Sequence, residues 1–194
     1  MLRMTEMLLL HHIQGLTPGV VDLADRFRAA GHTVHTPDLF EGRTFASIDE
    51  GAAYVGSVGF AEMRARGVAA ADGLGDGFVV AGISLGVMAA QQVAQNTPGA
   101  AGALLFEAFA DPSNFGTWPD GLPVQVHGMA DDPFFGAEGD VDAAREFVEG
   151  RSGAELFVYP GDVHLFVDSS LPSYDADATA LVVERSLAML ERMP

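Results

Sequence analysis

The chain has 194 residues, 48% of them hydrophobic, with 23 glycines, a length and composition suited to one globular domain with a sizeable core. All ten basic residues are arginines and they face 27 acids, giving a net charge of −17 that disfavours nucleic acid and anionic membranes as partners. The absence of cysteine excludes a disulfide framework, a thiolate metal site and a thiol nucleophile.

The opening holds one short apolar run at 7–10, with Glu6 before it and His11-His12 after it. That is too short for a membrane helix and no cleavage site follows, so a cytoplasmic location is expected. The first strand is expected near 6–12. A helix follows in GLTPGVVDLADRFRAAG: Thr17 can cap it, Pro18 suits its first turn, Gly31 can end it, and Val20, Leu23 and Phe27 share one face. A second strand is expected at 33–37, stopped by Pro37, then a glycine-broken helical region at 48–70. GFVVAGIS predicts a strand at 77–83, with a helix from Leu85 to about Gln95. A buried strand near 102–107, a Pro- and Gly-rich loop at 110–122 and the strand LPVQVHG come next. A helix near 139–150 carries Val141, Ala144 and Val148. AELFVYPG is the last strand, and 174–192 the last helix, with Ala180, Val183, Leu187 and Leu190 as its expected buried stripe. Strands alternating with helices argue a mostly parallel sheet in a single three-layer α/β/α domain spanning 1–194.

Residues 79–94, VVAGISLGVMAAQQVA, carry the strongest chemical signal. Gly82-Ile83-Ser84-Leu85-Gly86 sets a serine between two glycines where a strand passes into a helix. Close packing of strand on helix explains the glycines but requires no serine. A tight bend that lifts a nucleophilic hydroxyl above the sheet edge explains all three. The helix N-terminus beside Ser84 favours developing negative charge, with the Leu85 N–H as first oxyanion donor.

A serine hydroxyl needs a histidine to take its proton and a carboxylate to orient that histidine. On such a fold the acid and then the histidine follow the serine, on loops after later strands. VQVHGMADDPFFG and YPGDVHLFVD supply both. His164 is the base candidate; His32 and His35 lie at the second strand, and His127 precedes the acids. Asp131 and Asp132 are adjacent, so only one can reach the histidine, and composition does not choose between them. Asp162 suits the turn before His164.

The segments HHIQGLTPGV, TPDLFEGRTF, GISLG, HGMADDPFF and YPGDVHLF resemble, in order and over nearly the whole chain, the dienelactone hydrolase family. Lacking cysteine, the chain resembles its serine-nucleophile branch. The resemblance implies a compact α/β-hydrolase fold of about six to seven strands without a separate lid domain. It implies a triad of Ser84, Asp132 and His164, with Asp132 favoured by Asp132-Pro133-Phe134, and a second oxyanion donor in the Ile13 N–H. The cysteine enzymes it resembles carry a glutamate where His12 falls, so His12 is expected to pack against or line the pocket. They hold a substrate carboxylate with two arginines. Arg43 falls one residue from the first position, and Asp168 occupies the second, where an acid would repel a carboxylate and disfavour dienelactone itself. Phe134, Phe135, Leu165, Phe166 and Trp118 read either as an apolar substrate pocket or as core beneath the loops.

These readings converge on a cofactor-free, metal-free serine hydrolase for a small ester or lactone. Its expected partners are the small-molecule substrate and, at most, a second copy in a homodimer, with no nucleic acid and no membrane. A thioesterase or peptidase on the same triad, or a non-catalytic small-molecule binding protein, are the alternatives. A metal site from His11-His12 with Asp131-Asp132 is disfavoured because adjacent strand residues point to opposite faces.

Overall fold

The computed structural model describes residues 4–193; residues 1–3 and 194, which the single-domain reading includes, lie outside them. The elements run β1 (Glu6–Leu10), α1 (Pro18–Ala29), β2 (Thr33–His35), α2 (Ile48–Val58), α3 (Phe60–Ala69), β3 (Phe78–Ile83), α4 (Leu85–Asn96), β4 (Ala100–Phe106), β5 (Val124–Met129), α5 (Asp140–Val148), β6 (Ala154–Tyr159) and α6 (Ala176–Arg192). The described strands form one sheet in the order β2-β1-β3-β4-β5-β6, and every pair is parallel. No described helix is long and apolar enough to cross a membrane.

Alternation along the strands sorts the core into two layers. Met7, Leu9, Val79, Ala81 and Ile83 pack with Val20, Leu23 and Phe27 of α1 and Val182, Met189 and Leu190 of α6. Leu8, Leu10, Phe78 and Val80 pack with α2 to α5 through Val55, Met63, Val87, Val93, Val141 and Ala144. Covering both faces with helices is what permits a parallel sheet, and it explains why β3 is buried at all six residues.

Local chemistry sets the ends. The Thr17 hydroxyl caps α1 by accepting the Val20 N–H, with Pro18 at the first position, and Ser47 caps α2 through the Glu50 N–H. The long helical region resolves into two helices because Gly59, at φ 106, turns the chain between them. β1 and β2 each end two residues earlier than the sequence pattern suggests.

The buried face of α6 also differs from expectation. Ala178, Thr179, Val182, Ser186, Met189 and Leu190 are buried, Val183 and Leu187 are half-buried, and Ala180 is exposed. The stripe is turned by about one residue because two polar positions lie inside it. Thr179 is accommodated by its hydroxyl, which donates to the carbonyls of Phe166 and Asp175.

The strand order reverses direction between β1 and β3: the chain leaves β1 outward to β2 and returns on the other side as β3. Open α/β sheets bind ligands outside the carboxyl ends of strands at such a switch point. The loops after β1 and β3 therefore meet where a site is expected.

Candidate active site

Ser84 stands between the last residue of β3 and the first of α4 with φ 49 and ψ −111, a conformation that L residues rarely adopt. Holding it there costs about 1–3 kcal/mol, which the surroundings must offset. The Ser84 N–H donates to the Phe106 carbonyl at 2.8 Å and its own carbonyl accepts the Val87 N–H at 2.9 Å. The flanking glycines are needed by the crossing: a Cβ on Gly82 would lie 2.5 Å from the Gly86 carbonyl oxygen, and one on Gly86 2.5 Å from that of Leu10. Both readings of this turn are thus present at once. The glycines answer to close packing, and the bend lifts the serine side chain out of the sheet.

The structure brings Ser84, His164 and Asp132 together. Ser84 Oγ lies 2.8 Å from His164 Nε2, and His164 Nδ1 lies 2.7 Å from Asp132 Oδ2. Asp132 is fully buried, and its second oxygen accepts the N–H groups of Phe134 at 2.8 Å and Phe135 at 3.2 Å. A carboxylate can only accept, so the Nδ1 proton is donated to Asp132 and Nε2 faces the serine with its lone pair. Asp131 is exposed and its side chain has no part in the cluster. Asp162 is exposed as well.

Two backbone N–H groups are the candidate oxyanion donors, those of Leu85 and Ile13. Leu85 opens α4, whose first N–H groups have no intrahelical acceptor. Ile13 lies in the loop after β1, held from above by α2, where a Cβ on Gly51 would come within 2.0 Å of the Ile13 carbonyl. Among the described residues the Ile13 N–H has no acceptor.

The residues expected to touch substrate divide. Phe134 is 38% exposed and its ring lies 4.7 Å from that of His164, in a recess shared with Gln14, Ile48, Leu165 and Leu171. Phe135 and Phe166 are fully buried core residues, and Trp118 packs in the core against Phe147. Arg43 is exposed and stacks over Tyr54 at 5.4 Å. A second recess, lined by Leu39, Phe60, Met63, Arg64, Leu85 and Met88, opens between α3 and the first turn of α4.

His12 does not line a pocket and Asp168 does not confront a substrate. Both are fully buried, and His12 Nε2 lies 2.7 Å from Asp168 Oδ2. The expectation that Asp168 repels a substrate carboxylate fails for that reason, because its charge is spent on protein donors. His11 is buried between the Leu39 N–H and the His12 carbonyl, and burial lowers its pKa to about 4. Among the described residues no group of three acidic or imidazole side chains converges as metal ligands.

One residue escaped sequence reasoning. Glu107 follows β4 with φ 63 and is 1% exposed. One of its oxygens accepts the Phe166 N–H at 2.7 Å, while the other has no partner among the described residues. Burial pushes its pKa well above the usual carboxylate range, the Phe166 N–H works against this, and Asp132 and Asp168 add to it. The signal was available: LLFEAF places an acid inside an otherwise apolar strand end.

Several solved structures share this fold. A dienelactone hydrolase-like promiscuous phosphotriesterase from metagenomic libraries is 19% identical with a TM-score of 0.70, over 97% of this chain and 86% of that one. A dienelactone hydrolase from Anabaena variabilis is 14% identical with a TM-score of 0.68, over 98% and 87%. Thermogutta terrifontis esterase 2 is 17% identical with a TM-score of 0.68, over 99% and 85%. Among curated proteins none matches the sequence. The model of the dienelactone hydrolase family matches residues 3–193, so the chain belongs to that family and is a hydrolase of the α/β type.

Proposed function

We propose that the protein is a serine hydrolase that cleaves a small carboxylic ester or lactone through an acyl-enzyme. The observation that carries this reading is the unbroken hydrogen-bonded relay from Ser84 Oγ through His164 to Asp132, placed on a strained bend at a helix N-terminus. Ser84 Oγ attacks the carbonyl carbon as its proton passes to His164 Nε2. The Asp132 carboxylate supports the imidazolium that forms. The oxyanion develops toward the N–H groups of Leu85 and Ile13, donors of a kind whose individual loss costs about a hundred- to a thousand-fold in rate. Collapse breaks the acyl–oxygen bond and the departing alkoxide takes the proton from His164. Water then attacks the acyl-enzyme with His164 again as base, restoring the serine hydroxyl and releasing the acid. No step calls on a cofactor. The short recesses beside His164 and beside α4 suit small acyl and alcohol groups.

The test is labelling with a fluorophosphonate probe, wild type against Ser84→Ala. A structural relative, Thermogutta terrifontis esterase 2 (16% identical, TM-score 0.64), is phosphonylated by sarin. Labelling of the wild type and none of the variant is expected. An unlabelled wild type speaks for a binding protein built on a hydrolase fold. A panel of esters, lactones and thioesters, with and without a free carboxylate, then sorts the substrate class.

A further inference from the structure

We propose that His12 and Asp168 are positioning residues: this buried imidazole–carboxylate pair fixes the loop after β1, and with it the Ile13 N–H, against the loop that carries His164. The proposal rests on the serine hydrolase reading above.

The Asp168 carboxylate is fully buried and receives four donors. His12 Nε2 at 2.7 Å and the Thr17 hydroxyl reach Oδ2, while the Ser170 N–H at 2.8 Å and the Ser170 hydroxyl at 2.6 Å reach Oδ1. Burial works against the charge, but hydrogen bonds from His12, Ser170 and Thr17 outweigh it and lower the pKa to about 2. The N-terminus of α1 backs onto the same carboxylate: a Cβ on Gly19 would lie 1.7 Å from Oδ1. Its dipole favours an anion there. Asp168 thus joins three segments: the loop after β1, the start of α1, and the loop running on from His164. On that last loop, Leu165 is held at φ 62 and the Asp168 N–H donates to the Leu165 carbonyl at 3.2 Å.

The imidazole of His12 transmits this anchor to the Ile13 amide. Its Nδ1 accepts the Gln14 N–H at 3.1 Å, so the ring proton is on Nε2 and is donated to Asp168. Both ring nitrogens are committed, one to the anchor and one to the backbone just past Ile13. The peptide that carries the Ile13 N–H is fixed at its other end as well. The His12 carbonyl accepts from Gly15 N at 3.0 Å and His11 Nδ1 at 2.8 Å. Because the peptide group is planar, holding the carbonyl aims the N–H the opposite way. Displacing His12 therefore rotates the donor. A buried carboxylate is a poor way to gain stability alone, since its desolvation is offset only by the donors gathered around it. What this one supplies is direction: it sets an N–H and an imidazole in one frame.

The experiment compares wild type with Asp168→Asn and His12→Gln, using p-nitrophenyl acetate as substrate and an aryl trifluoromethyl ketone as oxyanion mimic. Asparagine cannot accept four donors. Glutamine at position 12 can turn its amide nitrogen to Asp168 in place of Nε2, but then has no acceptor at the Nδ1 position for the Gln14 N–H. In each variant kcat is expected to fall about ten- to a hundred-fold, a part of what outright loss of an oxyanion donor removes, with KM within about threefold. Affinity for the ketone should fall in proportion to kcat. A purely structural role would lower Tm and leave kcat and ketone affinity, measured well below Tm, within about twofold of wild type; that result overturns the proposal. Should Asp168→Asn not fold, His12→Gln decides by the same criteria. Fluorophosphonate labelling separates the two levels. A wild type that takes no label defeats the hydrolase reading and this inference together, whereas labelled wild type with unimpaired variants defeats the positioning role alone.

Discussion

Glu107→Gln offers a measurement whose sign and slope follow from the structure. The side chain is buried beneath the His164 loop and its pKa is raised well above the ordinary value of 4.5, first by desolvation and further by Asp132 and Asp168. Below about pH 4.5 both folded and unfolded chains hold this proton, and it contributes no pH dependence. Above that, the unfolded chain ionises while the native state stays protonated, so native stability is lost as pH rises. The slope is about 1.4 kcal/mol per pH unit until the folded-state pKa is reached. Glutamine keeps the shape and the acceptor for the Phe166 N–H but cannot ionise. The difference in unfolding free energy, variant minus wild type, should therefore climb with pH at about 1.4 kcal/mol per unit. Urea denaturation at half-unit steps from pH 5 to 7 measures it. His11 and His127, lowered by burial to about 4 and about 3, titrate oppositely. Their neutral forms are stabilising above the unfolded value of 6.5, a contribution lost as pH falls, and they cancel in the difference. A difference that stays flat across this range would show Glu107 ionised in the native protein and refute the reasoning.

Asp132→Asn should lower kcat about a thousandfold or more by removing the acceptor that holds His164 Nδ1–H, as carboxylate-to-amide changes in such triads do, whereas the exposed Asp131→Asn should stay within about threefold; steady-state kinetics on a chromogenic ester distinguish them. Phe135→Ala should cost about 3–5 kcal/mol in urea unfolding, because its ring fills the space over Gly128 where even a Cβ would come within 2.2 Å. Phe134→Ala, beside the His164 ring, should change KM and leave stability within about 0.5 kcal/mol. Ser84→Gly should equal or exceed Ser84→Ala in stability by up to about 2 kcal/mol, since glycine relieves the strain at φ 49 that alanine retains; a glycine variant at least 1 kcal/mol weaker would show the bend unstrained.

How much was legible in the sequence depended on whether a residue's role is local. Thr17, Pro18 and the spacing of Val20, Leu23 and Phe27 announce α1 because capping and helical periodicity act within a few residues. The serine bend was legible for the same reason: Gly82 and Gly86 are required by atoms a few residues away and by the neighbouring β1. Asp132 and Asp131 could not be separated from composition, since the choice is made by the turn at 132–135, where two N–H groups close on one carboxylate. Asp168 was misjudged because its partner His12 lies 156 residues away and each satisfies the other. In isolation, an acid near His164 reads as facing the substrate. The α6 stripe slipped because Thr179 and Ser186, polar by type, lie on its buried side.

Among the described residues three buried carboxylates, one in the candidate site and two behind it, are each handled differently by the fold. Asp132 is met by two amides and an imidazole, Asp168 by four donors and a helix N-terminus, and Glu107 by a pKa that burial raises well above the usual carboxylate range. The distinction follows from donor supply: each ionised oxygen is matched by N–H or O–H groups, and the one unmatched oxygen belongs to the residue whose pKa is raised. Backbone strain gathers at the same place. Of the four described non-glycine residues with positive φ, Ser84, Glu107 and Leu165 lie at the ends of β3 and β4 and beside His164. Such conformations persist only where surrounding contacts over-determine them. Here the contacts are the Ser84–Phe106 backbone bond, the Glu107–Phe166 bond and the Asp168 network. The buried acids thus act as anchors for strained backbone, and their burial cost is the stability the fold gives up to hold a hydroxyl and an imidazole in register.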